Sequence, residues 1–246
     1  MLHIRKYLAF PLLMVVVCGV TPVSQAAVSL DRTRAIFPGG SKSISLNIAN
    51  ENKQVPYLAQ AWLEDARGKK ITTGPLVVTP PVQRLEPGAK SMVRVMAPGA
   101  AVLPQDRESL FYFNLREIPP KSGKANVLQI ALQTRIKLFY RPASIVKAPG
   151  AVWQDQLVLT TLPGGYRIDN PTPYYITVIG MGGGEKQTAG SKFDAVMVAP
   201  KSGVSVSSGH WSTPHLTYIN DYGGRPTLRF ECLAGRCVSK GVVKGK

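Results

Sequence analysis

The chain has 246 residues with 30 Lys+Arg against 14 Asp+Glu, a formal net charge of +16, and 44% hydrophobic residues. That apolar fraction supports a folded core and excludes wholesale disorder. Three cysteines exclude a disulfide-dense mini-domain and three histidines leave little room for a histidine-based metal site.

The first element is a targeting segment. His3, Arg5 and Lys6 precede the apolar run Leu8–Val20, and Ser24-Gln25-Ala26 places small residues where a signal peptidase reads. A basic head, an apolar middle and a small-residue cleavage site describe a secretory signal over residues 1–26, with Ala27 as the mature N-terminus. The apolar run is short for a membrane span and no second such run exists, so stable membrane insertion is not expected. Cleavage removes Arg5 and Lys6 and lowers the formal charge from +16 to +14 over the remaining 220 of 246 residues. Cys18 leaves with the signal, so Cys232 and Cys237 remain as an even pair, expected to be oxidised in an exported chain. Closing so short a loop is worth about 2 kcal/mol, enough to trim a hairpin and too little to hold a fold.

The mature chain reads as β almost throughout. Lys42–Asn50 alternates Ile44, Leu46 and Ile48 against polar neighbours, the period of a strand with one buried face. Further strands are predicted over Pro56–Asp65, Ser91–Ala97, Ser109–Ile118 and a long one over Asn126–Pro142, with Pro80-Pro81, Pro87-Gly88 and Pro98-Gly99 as turns. Pro142, Pro149 and Gly150 mark a linker. Beyond it lie Gln154–Leu162, Gly165–Asn170, Tyr174–Met181, Lys192–Pro200, His215–Asn220 and Thr227–Leu233. No amphipathic helical stretch separates strands, which argues against βαβ units and for an all-β chain of two sandwich domains, over residues 27–144 and 145–246.

Enzymatic signatures are missing. There is no Gly-x-Ser-x-Gly, no His-Glu-x-x-His and no Walker loop; Gly182-Gly183-Gly184-Glu185-Lys186 lacks the spacing and the Ser/Thr of a phosphate loop and reads as an inter-strand loop. His210 and His215 have no acidic residue placed to orient them. The Cys-x4-Cys pair has no second pair for zinc, so no metal and no cofactor is expected. The basic residues Arg67, Lys69, Lys70, Lys90, Arg94, Arg135, Lys137 and Arg141 are scattered, so nucleic acid is not the expected partner; acidic or carboxylate-bearing proteins are.

The informative segment is Asn126–Pro142. Leu128, Ile130 and Leu132 alternate with Gln129, Ala131 and Gln133. Two readings stand on the residues alone: an ordinary half-buried strand facing its own core, or a row at the exposed lip of the sandwich where another chain can pair. Lys137 is out of phase with the even-numbered row, so a bulge or bend is required if both serve one ligand.

Here the sequence resembles the PapD-like family of periplasmic pilus-assembly chaperones, along nearly the whole mature chain. The resemblance runs through Ala27–Phe37, Asn52–Trp62, Pro80–Val95, Pro104–Pro120, Ala125–Pro142, Gly164–Gly180 and Tyr218–Pro226, and includes the Cys232…Cys237 spacing. It departs at two turn-like stretches, Pro38–Lys42 and Met96–Leu103. The resemblance implies two immunoglobulin-like domains forming a cleft and a non-enzymatic chaperone in the periplasm. Its partners would be pilus subunits, adhesin and rod or tip pilins among them, and an outer-membrane usher. It implies that Leu128, Ile130 and Leu132 fill the groove of a subunit lacking its last strand, and that Arg34 and Lys137 anchor the subunit's C-terminal carboxylate. It further implies an interdomain ion network of Glu108, Arg141 and Asp221. The short stretch Ile118–Ala125 resembles the subgroup that assembles rod-like adhesive pili. The rival reading is a glycan-binding module using aromatics such as Trp153 or Trp211.

Overall fold

The computed structural model describes residues 26–123, 126–190 and 193–243. The expected signal segment therefore lies, apart from Ala26, outside the described residues, as do Lys124 and Ala125 of the short connecting stretch.

The first domain holds β1 (Val28–Leu30), β2 (Arg34–Pro38), β3 (Ser43–Asn50), β4 (Tyr57–Glu64), β5 (Lys70–Ile71), β6 (Val77–Thr79), β7 (Val82–Leu85), β8 (Lys90–Met96), β9 (Ser109–Ile118) and β10 (Gln133–Arg141). One sheet runs β1-β3-β8-β6 and the other β2-β10-β9-β4-β5, with β7 also on β4. Alternate residues of the two sheets meet in one core that includes Phe37, Leu46, Ile48, Leu63, Val95, Phe113 and Leu138.

The second domain holds β11 (Val158–Leu162), β12 (Gly165–Asn170), β13 (Ile176–Gly182), α1 (Glu185–Gly190), β14 (Val196–Val198), β15 (Ser202–Ser207), β16 (His215–Ile219), β17 (Thr227–Leu233) and β18 (Arg236–Val242). Its hydrogen-bonded path runs β14-β13-β16-β17-β18-β11-β12-β15. The ends of that path approach each other, β14 against β12 and β15, so the sheet folds over a separate core around Tyr166, Tyr174, Val178, Leu216 and Phe230. Cys232 and Cys237 face each other across β17 and β18 and are disulfide-bonded. Two β-sandwich units, each with its own core, match the expected fold class.

Several elements differ from the sequence reading, and three of them bear on the site and its surroundings. The glycine-rich segment is no plain loop, because the short helix α1 follows Gly184 and packs on β13 and β16. A Cβ at Gly180 would stand 2.5 Å from the Thr188 carbonyl oxygen and one at Gly183 2.5 Å from the Trp211 ring, so these glycines permit close packing. Gln154–Gln156 is a 3-10 turn and the strand starts only at Val158. Finally, the long strand is cut at its front: β10 begins at Gln133, not Asn126. Its partner β9 stops at Ile118 because Pro119-Pro120 come next and have no N–H to donate; the last rung is Glu117 N–H to the Leu132 carbonyl, 3.0 Å.

Candidate functional site

The site is built on β10, which pairs antiparallel with β9 over Gln133–Tyr140 and parallel with β2 over Lys137–Arg141. Ile136, Leu138 and Tyr140 point into the first core. Extending that even-numbered row backwards gives Leu132, Ile130 and Leu128, whose exposure climbs from 41% to 64% to 85%. The row is thus continuous with the core but runs out beyond the edge of the sandwich. The half-buried reading fails for these three residues: the core ends before the row does.

The other edge of this segment matters equally. Strand β2 starts at Arg34, opposite Lys137. Before Lys137, the edge of β10 on the β2 side carries no paired strand among the described residues. An open edge beside exposed aliphatic side chains is a template for another strand.

That edge ends at two cations. Arg34 is 9% exposed; its Nη1 donates to the Ile219 carbonyl at 3.2 Å, and its buried Nε has no hydrogen-bond partner among the described residues. Lys137 lies on the adjacent strand, about 4.8 Å away in the pairing direction. Its Nζ donates to Thr177 Oγ1 at 3.1 Å, across to the second domain. Burial holds both groups below their ordinary pKa values, and the neighbouring Arg34 charge depresses Lys137 further. Lys137 belongs to the odd-numbered face, and the ladder with β9 shows no register shift over Gln133–Tyr140. The bend expected from its phase is therefore not within β10; the chain leaves the ladder ahead of Gln133 instead.

Glu108, Arg141 and Asp221 do come together. Arg141 lies 2.7 Å from both Glu108 Oε1 and Asp221 Oδ2, donating from Nη1 and Nη2 to Asp221 and from Nε to Glu108. Glu108 Oε2 also accepts the Tyr175 N–H at 2.8 Å, and the guanidinium sits over the rings of Trp153 and Tyr174 at 4.8 and 5.0 Å. Burial pushes the Glu108 carboxyl up to about 7, against the pull of Arg141 and the Tyr175 N–H. Burial also opposes charge on Arg141, but its bonds and attraction to Asp221 and Glu108 outweigh it and raise its pKa. Phe139 packs on Tyr175 with ring centroids 5.6 Å apart, and the exposed pair Lys201–Asp106 also bridges the domains.

Sequence reasoning missed Thr177, the Ile219 carbonyl, Tyr175 and the aromatic cover on Arg141. Only the doublet Tyr174-Tyr175 after a proline offered a signal. Trp153, offered as a surface aromatic for glycans, is instead buried in the second core, its ring tilted against Tyr174 with centroids 4.5 Å apart; Trp211 stacks on Tyr166. Neither gives the open aromatic face that such a module needs.

Two family models match the chain. The N-terminal domain model of the PapD pili and flagellar-assembly chaperones matches residues 27–146, and the C-terminal domain model of the PapD pili assembly chaperone matches residues 152–230. The chaperone protein PapD of Escherichia coli is 65% identical over 218 residues, covering 88% of this chain and 91% of the relative. The chaperone protein PmfD of Proteus mirabilis is 48% identical over 221 residues, covering 87% of each. Among solved structures, the periplasmic chaperone SfaE matches with a TM-score of 0.67 at 33% identity, over 82% of this chain and 98% of its own. A chain from the Salmonella enterica SafA pilin–SafB chaperone complex matches with a TM-score of 0.72 at 25% identity, over 85% of this chain and 98% of its own.

Proposed function

This chain belongs to the PapD family of pilus-assembly chaperones and is a non-enzymatic chaperone of pilus assembly; from that premise we propose that it works in the periplasm by lending a strand. The first domain, residues 27–144, captures a pilus subunit that lacks its last strand, and residues 145–246 close the other side of the cleft. Leu128, Ile130 and Leu132 enter the subunit's open groove, main-chain hydrogen bonds hold the pairing, and the subunit's C-terminal carboxylate rests on Arg34 and Lys137.

The observation that carries this reading is the open edge of β10 ending at those two cations. It also implies a polarity. Strand β2 runs parallel to β10 and begins at Arg34. A strand laid on the same edge ahead of β2 places its C-terminus beside Arg34 only if it too runs parallel to β10. Antiparallel pairing would bring an N-terminus, and a positive charge, against two cations. The carboxylate then fixes register, because a one-residue slip would turn the wrong side chains toward the ridge.

In this reading Glu108, Arg141 and Asp221 hold the cleft geometry and do not touch the subunit. The capped subunit passes to an outer-membrane usher, where another subunit's extension replaces the ridge. The Salmonella enterica relative is a chaperone in complex with a pilin, which supports pilus subunits as the partner class.

The test is a peptide carrying the last strand of a pilus subunit, made with a free C-terminal carboxylate and as its carboxamide. The carboxylate form is expected to bind at least about tenfold more tightly, the difference of one charge-assisted contact of about 1.5–3 kcal/mol. Equal binding of the two forms to the folded chaperone removes the anchor.

A further inference from the structure

The row offered to a subunit has to stay extended without a ladder of its own. Among the described residues, residues 127–131 make no main-chain to main-chain hydrogen bond, and the last rung behind them is Glu117 N–H to the Leu132 carbonyl. A segment released in this way samples many conformations, and fixing it on binding costs conformational entropy.

The side chain of Gln129 stands in for the missing rungs. Carried four residues past the Gln133–Arg116 pair, the β9–β10 register sets Gln129 opposite Pro120. There Gln129 Nε2 donates to the Pro120 carbonyl at 2.6 Å, and Oε1 accepts the Ser122 N–H at 3.4 Å. One carboxamide thus presents a donor and an acceptor, as a peptide unit would, to a stretch whose two prolines have no N–H to give. Both partners are main-chain groups, so the clasp fixes the path of the backbone. In an extended segment Leu128 and Ile130 point to the face opposite Gln129. The clasp accordingly leaves them uncovered, 85% and 64% exposed. At the front of the row Asn126 turns the chain at a φ of 57°, a left-handed conformation that asparagine tolerates.

We propose that Gln129 is a positioning residue for subunit capture. Its side chain holds the row extended in the free chaperone, so that an incoming strand meets a ridge already formed and less ordering remains for binding. The inference rests on the strand-lending reading above.

The first measurement is made on the free, 15N-labelled mature protein. In Gln129→Ala the order parameters of the Leu128 and Ile130 amides should fall to flexible values, below about 0.6. Gln129 is exposed, so the urea midpoint should not move. Affinity for a labelled subunit-strand peptide should drop about threefold to tenfold, the range of one neutral hydrogen bond.

Gln129→Glu keeps the length and changes only the proton. Ionised, the side chain accepts the Ser122 N–H but has nothing to donate to the Pro120 carbonyl; protonated, it does both. Its affinity for the carboxamide-ended peptide, taken as a ratio to the unmutated protein at each pH, should be about threefold to tenfold low at about pH 6.5. That deficit should close as pH falls through about 4.3, the ordinary glutamate value, while the deficit of Gln129→Ala stays flat. The clasp is overturned if the order parameters of Gln129→Ala match the unmutated protein, if the Gln129→Glu deficit does not close on acidification, or if Gln129→Ala keeps full affinity while Ile130→Ala loses it. If Ile130→Ala also keeps full affinity and the carboxylate peptide binds no better than the carboxamide, strand lending itself fails and the clasp falls with it.

Discussion

Replacing Ile130 by Ala separates a ridge kept for a partner from a strand packed on its own core. Full burial of an isoleucine side chain is worth about 1.5–3 kcal/mol. Ile130 keeps 64% of its surface in water, so about 1–2 kcal/mol of that burial is still available to a complex. Truncation should therefore weaken binding of a subunit strand about fivefold to thirtyfold. Stability of the free protein should change by no more than about 0.5 kcal/mol, as for other exposed positions. Leu138 supplies the contrast: it lies in the same row, eight residues on, with 0% exposure, and Leu138→Ala should cost about 2–5 kcal/mol. Urea unfolding measures the stabilities, and fluorescence anisotropy of a labelled subunit-strand peptide measures the affinity. A loss of several kcal/mol of stability in Ile130→Ala, with unchanged peptide affinity, would refute the idea that the row is held out of the core for another chain.

Arg141→Ala leaves Glu108 buried without its partner and should destabilise the protein by about 3–5 kcal/mol in urea unfolding, whereas Arg84→Ala, from a fully exposed pair, should leave the unfolding midpoint unchanged. The Glu108 carboxyl sits at about 7 when folded and at the ordinary 4.5 when unfolded, so the folded state binds the extra proton between those values. Its contribution to stability is therefore fully present below pH 4.5 and is lost as pH rises through 7; Glu108→Gln should flatten that slope in urea titrations from pH 5 to 7.5. Reduction of Cys232–Cys237 opens a loop with a sequence separation of 5 and should cost about 2 kcal/mol in the second domain's unfolding, leaving the first domain's core unchanged.

Much of this architecture is legible in local pattern. Ser109–Ile118, Gly165–Asn170 and Thr227–Leu233 begin and end where alternation and flanking turns put them, because each strand has one face in a core. The polar edge strand Ser202–Ser207 and Arg236–Val242 escape such a reading, since serine, lysine and glycine interrupt any apolar period. Residues 126–132 have the composition of a strand, but a strand exists only where a partner supplies hydrogen bonds, and Pro119-Pro120 withdraw that partner. Whether their apolar row lies inside or outside the core is a property of where the sandwich ends, which no local window contains. The meeting of Arg34 with Lys137 depends on the parallel pairing of β2 with β10 across most of the first domain, and only the family resemblance links those two residues at the level of sequence.

The same pairing makes the free cleft a poor resting place for positive charge, and that has a measurable consequence with two opposite signs. Burial and the adjacent Arg34 hold the Lys137 ammonium below its ordinary 10.5. Between that lowered value and 10.5 the folded protein has shed a proton that the unfolded chain keeps, so the stability of the free protein should rise with pH across this window. A bound carboxylate reverses the preference, because it favours charged Lys137, and binding must then take up a proton. The affinity for a carboxylate-ended subunit peptide should therefore fall as pH rises through the same window, while the carboxamide peptide shows no such loss. Lys137→Met should remain folded and abolish both slopes together, since both come from one group. Parallel measurements of unfolding and peptide binding from about pH 8 up to the ordinary lysine value of 10.5 decide the matter. If affinity for the carboxylate peptide is flat while the stability slope is present, Lys137 titrates in the cleft without touching the bound C-terminus, and the anchor must rest on Arg34 alone.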